Sequence, residues 1–80
     1  MDKKDELRLR MEMKKVALKN AERHILYDHS PDYNERLKDG FVKQEELRNA
    51  IMDYHTINGN DDNLREAWKV FYHFQTVIGD

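Results

Sequence analysis

The chain has 80 residues, of which 39% are hydrophobic and 38% charged, with a formal net charge of −2 and no cysteine. That length is expected to make one domain with a modest core, and the missing cysteine excludes a disulfide framework and thiolate chemistry. The opening MDKKDELRLR is too charged for a secretory leader and no apolar run approaches a membrane span, so a soluble cytoplasmic protein without a membrane partner is expected.

Charge is unevenly spread. Residues 1–23 hold eight Lys/Arg against five Asp/Glu, whereas residues 24–80 hold six against eleven. The two parts are therefore complementary to each other, or to charged partners.

The first predicted element is a helix from about Asp2 to Tyr27, rich in Lys, Glu, Leu, Met and Ala, which are good helix formers. At about 100° per residue, Leu7, Met11, Leu18, Ala21 and Ile25 fall on one narrow stripe. Leu9, Met13, Val16 and Tyr27 make a second stripe on nearly the opposite side. A helix on a small bundle needs about 100° of apolar arc, and this one spans roughly 220° with polar interruptions. The excess must meet something.

At DHSPD the pattern breaks. Ser30 suits an N-cap and Pro31 the first helical position, so a short helix is predicted over about 31–38, with Tyr33 and Leu37 one turn apart. Asp39-Gly40 is read as its end, because glycine tolerates the left-handed backbone of a helix C-terminus. A third helix, about 43–56, carries Leu47, Ala50, Ile51 and Tyr54 on one face. INGND (57–61) signals a turn. A fourth helix follows over about 62–77, with Asn63 as its cap and Leu64, Ala67, Trp68, Phe71, Phe74 and Ile78 on its inner face. The fold expected over residues 1–80 is thus a single all-α domain. It is a small helical bundle with a long N-terminal helix, a short second helix and a C-terminal helical hairpin. Trp68, Phe71 and Phe74 are expected to anchor its core.

One segment invites a metal. With Gly40 at the sixth position of a twelve-residue calcium loop, Glu35 stands first, Leu37 third, Asp39 fifth, Val42 eighth and Glu46 twelfth. NERLKDGFVKQEELRNAI therefore resembles the second half of an EF-hand loop with its exit helix, and LREAWKVF (64–71) resembles an entry helix. The resemblance implies calcium held by Glu35, Asp39 and Glu46. Leu37 offers no ligating atom, and the sequence-based expectation is a turn that starts a helix, with no metal and no cofactor. His24 and Asp28, one helical turn apart with His29 and Asp32 near, are the other candidate ligands. The bland reading is polar residues near a helix end.

No nucleophile comes with a base. Ser30 is better used as a cap, and the carboxylate pairs Glu45/Glu46 and Asp61/Asp62 lie where helix starts favour acids. No catalytic residue is assigned, and an enzyme is not expected. Two surfaces of the first helix remain. Arg8, Lys15, Lys19 and Arg23 form a basic face suited to an anionic partner, nucleic acid being one. Leu7, Leu9, Met11, Met13 and Val16 form the expected partner-binding patch, with the methionines giving adaptable apolar surface. The function expected is a non-enzymatic protein-interaction module, a small regulator or inhibitor, bound to a protein partner or paired as a homodimer through this helix. The alternatives are a nucleic-acid-associated accessory protein and a degenerate EF-hand-like calcium binder.

Overall fold

The computed structural model describes residues 2–28 and 31–79. They form three α-helices: α1 (Lys3–Tyr27), α2 (Tyr33–Asn58) and α3 (Asp62–Ile78). All three pack against one another in a bundle 43 × 24 × 15 Å. The 26 residues of α2 rise about 39 Å at about 1.5 Å each, so a single helix sets the long axis.

The first helix begins where Asp2 accepts a hydrogen bond from the Lys4 amide, with Asp5 and Glu6 in the positive first turn. Its other end is finished from α2. The Arg36 guanidinium donates to the carbonyls of His24, which also accepts the Asp28 amide at 3.3 Å, and Ile25 in the last turn, while Arg36 lies 5.5 Å from the centre of the Tyr33 ring.

In place of a short helix, a Gly-terminated break and a new helix, residues 33–58 form one continuous helix. The predicted end at Asp39-Gly40 is wrong for a physical reason. A Cβ on Gly40 would lie 2.7 Å from Ile25 Cδ1 and 2.9 Å from Phe74 Cζ, so glycine is needed where α2 touches α1 and α3 together. Its helix-propensity cost of about 1 kcal/mol is offset by that close approach. Nor does Pro31 start the helix, which begins after Asp32; Ser30, the predicted cap, lies outside the described residues. Because each helix contacts both others, no C-terminal hairpin stands apart from α1.

Gly59 ends α2 with φ of 76°, a backbone that side chains resist, and donates its amide to the His55 carbonyl at 2.9 Å. The cap of α3 is Asp61, not Asn63. One Asp61 carboxylate oxygen accepts the Leu64 amide at 2.9 Å and the other accepts the hydroxyl of buried Tyr54 at 2.5 Å. One side chain thus starts α3 and satisfies a polar atom of the core. The hydrogen bonds from Tyr54 and from the Leu64 amide hold the Asp61 carboxyl below its ordinary 3.8. Burial, then the Asp61 bond, pushes the Tyr54 phenol above its ordinary 10.0.

The inner stripe of α1 is buried in full: Leu7, Met11, Leu18, Ala21 and Ile25. It meets Leu47, Ala50, Ile51 and Tyr54 from α2 and Leu64, Ala67 and Phe74 from α3. Phe74 is the one aromatic anchor that is wholly enclosed, edge-on to Phe41 at 5.8 Å. Trp68 and Phe71 are only partly buried against the core. Polar ties cross each interface. Arg10 reaches Asp53 at 2.5 Å and Lys14 reaches Glu46 at 3.2 Å, both joining α1 to α2. His73 of α3 lies 2.9 Å from Glu22 of α1, and Gln44 donates to Gln75 at 2.9 Å between α2 and α3.

Candidate functional site: the outward face of the first helix

Once its inner stripe is covered, α1 still presents apolar side chains to solvent. Leu9, Met13 and Val16 are 43%, 70% and 57% exposed, one and two turns apart on the side away from the core. Leu9, Met13 and Ala17 line an open apolar trough bordered by Glu6, Arg10 and Lys14. Arg10 and Lys14 are held at its edge by their ion pairs to α2. Tyr27, at the far end of the same helix, is also exposed.

Two members of the patch expected from sequence do not belong to it. Leu7 and Met11 are core, buried against α2 and α3, because a helix rotates about 100° per residue and they fall on the stripe those helices cover. Leu9, Met13 and Val16 keep the outward position. The patch is smaller than the sequence suggests, and continuous.

The basic face is likewise reduced. Arg8 lies 3.7 Å from Asp5, and Lys15 lies 3.2 Å from Glu12 with its side chain only 14% exposed. Lys19 and Arg23 remain exposed and make no ion pair among the described residues. Nearby on α1, Glu6 is also exposed, and its carboxylate has no side-chain partner among the described residues.

The calcium-loop alignment fails on backbone geometry. Residues 35–46 are helical throughout, so Glu35, Asp39 and Glu46 do not line a loop, and Glu46 is engaged by Lys14. His24 and Asp28 do approach, 3.8 Å apart, but among the described residues no three His, Asp or Glu side chains gather as a metal set would require; His29 lies outside them.

One surface escaped the sequence reading. Trp68 stacks on Tyr72 at 5.4 Å, and Phe71 stands edge-on to both, making an aromatic ledge along α3 with Tyr72 largely in solvent. The Trp68/Tyr72 spacing of one turn was the available signal. Assigning Trp68 wholly to the core hid it.

Among the described residues no helix is long and apolar enough to cross a membrane. Neither a scan of protein-family models nor searches of curated proteins and of solved structures finds a significant match to this chain.

Proposed function

We propose that this protein is a non-enzymatic interaction module, a small regulator or inhibitor that acts by binding through the outward face of α1. The observation that carries the reading is the exposed line of Leu9, Met13 and Val16 on a helix whose other side already fills the core. Scattered surface apolar residues are ordinary, but a contiguous line of them beside fixed charges is what a helix-packing interface looks like before it is covered. Arg10 and Lys14, pinned by Asp53 and Glu46, supply a charged rim that does not have to be ordered on binding.

Replacing Leu9→Asp together with Met13→Asp is the test. Circular dichroism is expected to show unchanged helix content, and light scattering is expected to show loss of association. Unfolding of the double variant would place those side chains in the core and end the reading. Contact with nucleic acid is the second reading, and it retains support from Lys19 and Arg23, exposed and without an ion pair among the described residues. It requires binding that falls steeply with salt and is lost on Lys19→Glu with Arg23→Glu; salt-insensitive binding would remove it.

A further inference from the structure

The outward face of α1 has an order beyond its apolar centre. Glu6, Leu9, Met13, Val16, Asn20, Arg23 and Tyr27 follow one another in alternating steps of three and four residues, the spacing of a two-stranded coiled-coil seam. The pattern is independent of the inner stripe, which lies on the opposite side of the same helix. Its ends carry opposite charge. Glu6 near the start and Arg23 near the finish are both exposed and unpaired among the described residues.

We propose that a second copy of this chain covers this seam, its α1 running antiparallel across a two-fold axis between Met13 and Val16. This rests on reading the outward face of α1 as the contact surface. In that register Met13 packs on Val16 of the partner subunit, and Leu9 packs beside Asn20 of the partner subunit. Glu6 meets Arg23 of the partner subunit. Each layer is repeated by the symmetry. Flanking the seam, Glu12, which Lys15 of its own chain also contacts, faces Lys19 of the partner subunit, so Lys19 and Arg23, without an ion pair among the described residues, each stand beside an acid. A parallel pair would set Glu6 against Glu6 and Arg23 against Arg23, which repel. The charge order along the helix therefore selects both the occupant and its direction. Asn20 at a seam position is the kind of polar residue that fixes register in such pairs. With no cysteine to cross-link its core, an 80-residue chain also gains stability from covering this seam.

The experiment is sedimentation equilibrium on the full chain carrying Glu6→Arg, Arg23→Glu, or both. The native chain is expected to dimerise. Each single reversal is expected to weaken the dimer on the order of tenfold or more, because it sets like charges together at both ends of the seam. The combined variant is expected to recover native association, since the pairs are restored with their signs exchanged. Lys19→Glu, which acts through Glu12, is a second and independent variant expected to weaken pairing. Weakening by the single changes without recovery in the combined one would overturn the proposed register. A native chain that stays monomeric would overturn self-pairing, and the thiol of a Met13→Cys variant then separates the two readings. A freely reacting thiol leaves the outward face open for a different protein, so the interaction reading survives. A protected thiol means the face is covered from within, and both readings fall.

Discussion

Met11 and Met13 stand two residues apart on the same helix, yet Met11 is 0% exposed and Met13 is 70% exposed. Their chemistry is the same, and so is their fit to a helix. What separates them is rotation, since about 200° of turn carries one into the bundle and the other out of it. The inner stripe of α1 is met by two helices, and its burial drives folding. The outer stripe stays exposed among the described residues. An apolar line that the fold leaves uncovered is therefore informative about partners in a way that a buried one is not.

The largest expected effect is the split between these two stripes. Met11→Ala should cost about 2–5 kcal/mol in urea unfolding, since its side chain is wholly enclosed and its loss leaves a cavity. At concentrations too low for association, Met13→Ala should change stability by no more than about 0.5 kcal/mol, as surface substitutions do. Similar losses at the two positions would erase the distinction on which the functional reading depends.

A smaller effect sharpens the comparison at the other end of the bundle, where burial and polarity are coupled. Asp61→Ala removes both the cap of α3 and the acceptor for the Tyr54 hydroxyl, at about 1–2 kcal/mol at neutral pH. Because the Asp61 carboxyl is held below its ordinary value, its contribution is present above about pH 4 and is lost as pH falls through the lower folded value. The gap between native and variant chains should accordingly narrow in acid. The Tyr54 phenol is held above its ordinary value, so its contribution is present below about pH 10 and is lost as pH rises through the folded value. Unfolding curves taken across pH read both limbs. A native-to-variant gap that stayed constant down to pH 2 would show that Asp61 does not contribute as a carboxylate.

Much of this architecture is legible in sequence, because helical periodicity records which face is buried. Leu7, Met11, Leu18, Ala21 and Ile25 were identifiable as one stripe, as were Leu47, Ala50, Ile51 and Tyr54. Gly40 was not legible as an interior residue. A glycine after Asp39 gives the local signal of a helix end, and only the approach of Ile25 and Phe74 from other helices explains why it sits inside one. The choice of Asp61 over Asn63 as the cap has a similar origin, since Tyr54 from α2 supplies the second partner that secures it. At the candidate site, periodicity located both stripes of α1 but could not say which would be covered. Leu7 and Met11 were assigned outward for want of the neighbouring helices. The ion pairs that hold Arg10, Lys14 and Lys15 depend on which acids the fold brings near, and pairs such as Arg10 with Asp53 lie far apart in the chain.

The central claim is that the outward seam of α1 is an interface covered by a second copy of the chain. It is tested most directly by the melting temperature of the native protein across a wide concentration range. Burial of the seam between two chains couples folding to association, so the melting temperature should rise steadily with concentration. A melting temperature independent of concentration, from the lowest to the highest attainable, would contradict it.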